Sequence, residues 1–185
     1  MKAQLNAKRD VKLTGINEWQ LKVLRHIPIL ADPSGHAAAE KRLFPDPVTG
    51  PDAEPEDREQ WEEWVIPEHR RLYDDALERV AADVATATEE IRRQRRRRDQ
   101  PDLPPPSPIH TGKFQLTIPA GNVDHWYRAM NQARLVMSER YGIDSEGDSD
   151  VLLERMIAAD TVDRLFEYEL FTSFQQWLVV YVMSE

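Results

Sequence analysis

The feature that most restricts the fold of this chain is a short strand followed by a tryptophan-bearing helix, a unit that occurs twice. The first unit is VKLTGI (Val11–Ile16) ahead of Trp19, and the second is GKFQLTIP (Gly112–Pro119) ahead of Trp126. Apolar and β-branched residues alternate in these segments, which is typical of strands with one buried face. We therefore expect the two strands to pair. The predicted fold class is α+β and predominantly helical, a helical bundle with a small two-stranded sheet.

Helical spacing of apolar residues dominates the remaining sequence. The longest series is Tyr73, Leu77, Val80, Val84, Ala87 and Ile91, in which successive residues are 4, 3, 4, 3 and 4 positions apart. This spacing predicts a helix that runs from about Pro67 through Ile91, either as a packed member of the bundle or as a coiled-coil seam. The sequence thus leaves both a monomer and a homodimer open.

Three further helices are predicted from caps and periodicity. One begins after Asn17, which has Gln20 three residues later in the pattern of a capping box. Another covers about residues 122–141. The last covers about Thr161–Met183; it is the most apolar element, and we expect it to lie centrally in the core.

Composition excludes several classes of site and favours a cytoplasmic location. The 185 residues suit one domain (1–185) and carry a formal net charge of −9. The absence of cysteine excludes disulfides, thiolate metal sites and cysteine nucleophiles. The first residues lack the apolar core of a signal peptide, and the longest apolar run, Trp177–Met183, is too short to cross a bilayer. We expect a cytoplasmic protein with no membrane partner.

An acidic, proline-rich loop (about residues 45–57) and an arginine- and proline-rich linker (about residues 92–111) interrupt the predicted helices. The linker opens with six arginines in seven residues, namely Arg92, Arg93, Arg95, Arg96, Arg97 and Arg98. We interpret this basic run as the C-terminal end of the preceding helix, where cations complement the helix dipole. The alternative is a nucleic-acid-binding regulatory protein that contacts phosphates through these arginines. Because the chain is acidic and the run has no interleaved aromatic residues for base stacking, we expect a protein partner rather than nucleic acid.

Sequence motifs of enzymes are missing from the chain. It has no phosphate-binding GxxxxGK[ST], dinucleotide-binding GxGxxG, metalloprotease HExxH or hydrolase GxSxG pattern. We therefore assign no catalytic, cofactor-binding or metal-binding residue and expect no cofactor. An acid–base enzyme that uses carboxylates with His69 or His125 stays open as a further hypothesis, and it requires a cleft that holds two of these groups together.

A polar stripe on the helix after the second strand is the main candidate interaction site. It consists of Tyr127, Asn131, Arg134, Ser138 and Tyr141, which are 4, 3, 4 and 3 residues apart and so share one helix face. One interpretation is architectural, with Arg134 paired to a carboxylate of a neighbouring helix. The candidate carboxylates are Glu154, Glu167 and Glu169. The other interpretation is a peptide or ligand groove in which Arg134 anchors an anion.

Three segments resemble a bacterial family of domains of unknown function that is best represented in actinobacteria. They are RLFPDP (Arg42–Pro47), MNQARLVMSERYGI (Met130–Ile143) and FQQWLVVYV (Phe174–Val182). The central motif of that family is Leu-Asn-x-x-Arg-Leu-x-Leu-Gly-x-Arg-Leu-Gly. The matching residues here are Asn131, Arg134, Leu135, Arg140 and Gly142, whereas Ser138 replaces a glycine and Tyr141 a leucine.

The resemblance implies a role rather than a reaction. Genes of that family often lie beside the gene for the adaptor of the Clp protease, which implies an accessory role near regulated proteolysis. No catalytic residues are carried over with it. We therefore expect a non-enzymatic protein-interaction or accessory module.

Overall fold

The computed structural model describes residues 1–45, 55–92, 109–143 and 149–183. Most of the predicted acidic loop and most of the basic run, Arg93 and Arg95–Arg98 included, lie outside the described residues.

A four-stranded antiparallel sheet replaces the predicted pair of strands. The strands are β1 (Lys2–Leu5), β2 (Val11–Ile16), β3 (Thr88–Arg92) and β4 (Ile109–Ile118), in the order β1-β2-β4-β3. The predicted pairing is confirmed, because β2 and β4 form the central antiparallel pair with Leu13 opposite Leu116. The alternation of apolar residues explains the buried face of this pair, since both of these leucines are buried. The α+β class is confirmed, and the strand number was wrong.

Strand β3 overturns the prediction of a helix through Ile91. The helix ends at Ala85, and the side chain of Thr86 donates a hydrogen bond to the carbonyl of Asp83 (2.7 Å) at its C-terminal cap. Ile91 instead lies opposite His110 on the sheet edge and is 54% exposed. The apolar spacing beyond Val84 is therefore not a helical seam.

The same strand corrects the interpretation of the basic run. Arg92 is the last residue of β3 and Ile109 is the first of β4, so the ends of the predicted linker are paired strands. The interpretation of the run as the end of a helix was therefore wrong at Arg92, where the chain is an edge strand.

The described chain has seven α-helices, which include the predicted ones after Asn17, at about residues 122–141 and from about Thr161. They are α1 (Glu18–Leu30), α2 (Ala37–Leu43), α3 (Pro55–Gln60), α4 (Ile66–Ala85), α5 (Val123–Tyr141), α6 (Ser149–Ala158) and α7 (Val162–Leu178). The last of them ends at Leu178 and continues as a π-helical turn, Val179–Met183. The capping box at α1 is confirmed, because the Asn17 side chain accepts from the Gln20 amide (2.7 Å) and the Gln20 side chain accepts from the Asn17 amide (3.1 Å). Within the described chain, no helix is long and apolar enough to cross a membrane.

Helix α5, rather than the last helix, lies at the centre of the helical packing. It packs against α1, α2, α4 and α7, and its buried side chains include Trp126, Met130 and Met137. Burying each such side chain contributes about 1.5–3 kcal/mol. Helix α7 buries Phe171 on one face but leaves Phe166 56% exposed. The prediction of a central α7 was therefore wrong, because its apolar residues are divided between the core and the surface.

Candidate interaction site on helix α5

The predicted polar stripe lies on α5, and each of its five residues is partly buried. The helix ends at Gly142, which has a left-handed backbone conformation (φ 62°) as a C-terminal cap. A partly buried residue on a central helix contacts either a neighbouring helix or a groove between two helices. The contacts of each stripe residue decide which applies.

Arg134 is held by neutral groups of α7. Its Nη1 donates to Gln175 Oε1 (2.6 Å) and its Nη2 donates to the Tyr168 hydroxyl (3.2 Å). The guanidinium carbon also lies 5.0 Å from the centre of the Tyr168 ring, within the range of a cation–π contact. The buried Nε–H of Arg134 has no acceptor.

The expected carboxylate partner of Arg134 is not found among the described residues. Glu154 and Glu169 are exposed, and neither forms an ion pair with Arg134. Glu167 is buried but accepts from Arg164 one turn earlier on the same helix (2.6 Å), and this bond raises the pKa of Arg164. The architectural interpretation is therefore wrong in its partner, because Arg134 pairs with no carboxylate of the described chain. The described hydrogen-bond partners of Arg134 are both neutral, so its partly buried positive charge has no described counter-charge.

Gln175 is the residue that joins the stripe to α7, and sequence reasoning missed it. It is buried, with 4% of its surface exposed. Its Nε2 donates to the backbone carbonyl of Tyr127 (3.4 Å) and to Asn131 Oδ1 (3.5 Å), while its Oε1 accepts from Arg134. The sequence signal for it was the first glutamine of the segment FQQWLVVYV, because Gln175 interrupts an otherwise apolar helix face. The structure thus brings three of the five stripe residues together around one amide.

The first two stripe residues also line a groove between α4 and α5. This groove has a volume of about 270 Å³, and Tyr127 and Asn131 share its wall with His69, Leu72, Tyr73 and Arg128. Arg128 is paired with Asp124 on its own helix (2.7 Å). Aromatic rings, an amide and an imidazole around one groove are suited to a peptide segment, which presents both apolar side chains and backbone hydrogen-bonding groups.

The last two stripe residues stand apart from this network. The carbonyl of Tyr141 accepts from Arg155 of α6 (3.1 Å), a contact that fastens the end of α5. Ser138 makes no side-chain hydrogen bond to the described residues. The candidate site therefore consists of Tyr127, Asn131 and Arg134 with Gln175, and we name it the α5–α7 polar site.

The hypothesis of an acid–base enzyme gains one contact between a histidine and a carboxylate. His125 Nδ1 lies 3.6 Å from Asp75 Oδ2 of α4. The groove at His69, by contrast, is lined by no carboxylate. In the described ranges, His, Cys, Asp and Glu side chains form no group of three that could hold a metal ion.

A second buried charge, Asp83 near the end of α4, was not predicted. It is 8% exposed, and both of its oxygens accept from Asn122 Nδ2 (3.0 Å each). Its Oδ2 also accepts from the indole N–H of Trp126 (2.9 Å). A buried tryptophan requires an acceptor, so Trp126 of the second strand–helix unit was the available signal. This cluster joins α4 to α5 and leaves the carboxylate well satisfied.

Comparison with known proteins gives one match. A family model described as a domain of unknown function (DUF2017) matches residues 11–183. No curated protein matches the chain, and no solved structure matches it. The match confirms the resemblance to a domain-of-unknown-function family, and its range includes the whole α5–α7 polar site.

Proposed function

The chain belongs to the DUF2017 family, and from this premise we propose that it is a non-enzymatic interaction module that binds an acidic segment of another protein at the α5–α7 polar site. The module is a single domain of a bacterial, cytoplasmic protein. Its partner belongs to Clp-type regulated proteolysis, in line with the gene neighbourhood that the resemblance implies.

One observation carries this proposal, and it is the missing counter-charge of Arg134. The guanidinium has five N–H donors, of which one is directed to Gln175 and one to Tyr168. Its buried Nε–H is without an acceptor, and no carboxylate of the described chain lies within 4.0 Å of it. A buried unsatisfied donor costs about 1–3 kcal/mol. A carboxylate from a partner supplies the acceptor and the opposite charge together.

The neighbouring groove gives the partner a place for the rest of its segment. Asn131 lines the groove and also contacts Gln175, which in turn contacts Arg134. A bound segment can therefore place apolar side chains against Leu72 and Tyr73 and its acidic group toward Arg134. This division of roles, with apolar contact for affinity and one charge for orientation, is common in peptide recognition.

Affinity capture with matched variants tests the proposal. The tagged chain, Arg134→Gln and Arg79→Gln are each used to recover proteins from the lysate of the source cell, with and without nuclease. Arg79 is the control because it is an exposed arginine of α4 whose ion pair among the described residues is with Asp75 (3.5 Å). We expect one protein at stoichiometric yield with the wild type and the control, unaffected by nuclease and lost with Arg134→Gln. Equal recovery of that protein by Arg134→Gln would contradict the proposed site. Turnover of a metabolic substrate by the purified chain would contradict the non-enzymatic role.

The second candidate function is that of a nucleic-acid-binding regulatory protein, and the position of the basic run relative to the sheet supports it. Strands β3 and β4 form an antiparallel hairpin, so residues 93–108 connect two paired strands at the edge of the sheet. Five arginines of the basic run are in this connection, and Arg92 directly precedes it. Phosphate contacts by these arginines predict an affinity that falls steeply with salt and is lost when they are replaced by glutamine. In the capture experiment, recovery that disappears with nuclease would favour this candidate.

A further inference from the structure

A second groove lies between α2 and the start of α4, and its lining residues differ from those of the α5–α7 polar site. Its volume is about 480 Å³, which is within the range of small-molecule sites. Ala37, Phe44, Trp61 and Ile66 form its apolar wall. We name it the α2–α4 groove.

A π-helical turn shapes one wall of this groove. Residues Trp61–Val65 join α3 to α4, and the amide of Ile66 donates to the carbonyl of Trp61, five residues earlier. Pro67 follows in the first turn of α4. Its ring cannot donate a backbone hydrogen bond and would clash with the carbonyl four residues before it, which accounts for the wider turn. Such turns are frequent at functional sites, and this one contributes Trp61 to the groove.

The polar groups of the groove are unevenly paired. Arg58 pairs with Glu62 (3.3 Å). Lys41 and Arg70 are exposed and form no ion pair with any described residue, and Arg70 is held over the Phe44 ring at 4.5 Å. With Glu40 as the remaining carboxylate, the described lining residues comprise three cations and two carboxylates, on a chain whose net charge is −9.

The indole of Trp61 provides an independent observation. Its N–H is buried and has no hydrogen-bond acceptor, although its ring is in edge contact with His69 (5.8 Å). Buried donors without an acceptor are rare in folded proteins, and each needs an explanation. Trp61 also lines the groove, which makes a ligand bound there a candidate source of the acceptor.

We propose that the α2–α4 groove binds a small aromatic carboxylate. The planar ring of the ligand packs between Trp61 and Phe44, and its carboxylate accepts from Lys41, Arg70 and the Trp61 indole. Arginine above an aromatic ring is already oriented for such an anion, because the ring restricts the side chain without using its hydrogen-bond donors. This site lies outside the α5–α7 polar site and does not depend on the function proposed above.

A titration of the ¹⁵N-labelled full chain with 2-naphthoate tests the site. The neutral analogue 2-naphthylmethanol has the same ring system and lacks the charge. The indole cross-peak of Trp61 is assigned as the one that Trp61→Phe removes. We expect 2-naphthoate to shift this cross-peak and to bind at least about tenfold more tightly than 2-naphthylmethanol, since a hydrogen bond to a charged group favours the anion.

Matched variants distinguish binding in the groove from general electrostatic attraction of the anion to the protein. Arg70→Gln and Lys41→Gln are each expected to weaken 2-naphthoate about tenfold. Arg71→Gln is the control, because Arg71 is the next residue of the same helix and is already paired with Glu68 (2.6 Å). Arg71→Gln and Arg134→Gln should each change the affinity for 2-naphthoate by less than about twofold. An unshifted Trp61 cross-peak, equal binding of the neutral analogue, or unchanged affinity in both Arg70→Gln and Lys41→Gln would each overturn the assignment.

Discussion

Helix α5 contacts one charge cluster toward α4 and another toward α7, and they differ in how completely the hydrogen-bonding groups of each charge are paired. Toward α4, the carboxylate of Asp83 accepts from Asn122 and Trp126 and is 8% exposed. Toward α7, the guanidinium of Arg134 donates to Gln175 and Tyr168 but keeps a buried Nε–H without an acceptor. Neither charge has an opposite charge beside it in the described chain.

This difference separates a structural cluster from a candidate site. Three hydrogen bonds from two neutral donors satisfy Asp83 within the fold, so it needs nothing further. Arg134 lacks both a counter-charge and one acceptor, and only a group from outside the described chain can supply both. Buried polar groups that are fully satisfied make a core specific, whereas a group left partly satisfied needs an explanation of its own.

The largest effect is expected at the satisfied cluster. Asp83→Ala leaves the Trp126 indole and the Asn122 amide without an acceptor in the core. The free energy of unfolding should fall by about 3 kcal/mol, measured by urea denaturation. Asp74→Ala, an exposed position on the same helix, should change it by less than about 0.5 kcal/mol. A loss below about 1 kcal/mol for Asp83→Ala would show that the cluster does not stabilise the fold.

A smaller effect on stability is expected at the incomplete cluster. Arg134→Gln removes a cation whose partners are neutral, and it leaves Gln175 Oε1 without its donor. The free energy of unfolding should fall by about 1 kcal/mol, so that the variant stays folded while it loses its partner. A loss as large as that of Asp83→Ala would place Arg134 among the structural residues and would remove the basis of the proposed site.

The smallest effect concerns the sheet edge and appears only in acid. His110 donates to Glu89 across β3 and β4 (2.8 Å), and this bond, with a second one from the amide of Gly112, lowers the pKa of Glu89. A lowered carboxyl pKa stabilises the fold above the pKa of the unfolded chain, about 4.3, and the stabilisation is lost as the pH falls through the folded value. The wild type should therefore lose slightly more stability than Glu89→Gln between about pH 5 and pH 3. Parallel curves for the two chains would show that the contact has no effect on stability.

The sequence predicted the parts of the fold that depend on local patterns. The capping box at Asn17 and the strand at Val11–Ile16 depend on neighbouring residues, and both predictions are confirmed. The prediction of helix for residues 88–92 was wrong because Ala87 and Ile91 continued a helical spacing by chance. Pairing with β4, which comes later in the chain, determines the conformation of this segment.

The candidate site was predictable only in part, for a related reason. Helical spacing placed Tyr127, Asn131 and Arg134 on one face, since that relation lies within a single helix. The identity of the partner across the α5–α7 interface depends on tertiary packing, which spacing does not contain. Charge complementarity favoured a glutamate, and the structure has Gln175 in that position.

The central claim is that Arg134 lacks a counter-charge that a partner provides, and Gln175→Glu tests it most directly. This change places a carboxylate at the atom that now accepts from Arg134 at 2.6 Å, with almost no change in side-chain volume. The internal carboxylate should then compete with that of the partner. The change also replaces the amide N–H that donates to the Tyr127 carbonyl and Asn131 Oδ1 with an oxygen, so some loss of stability is expected. We predict that capture of the partner by Gln175→Glu falls at least about tenfold while the variant stays folded. Full capture by a folded Gln175→Glu chain would contradict the account.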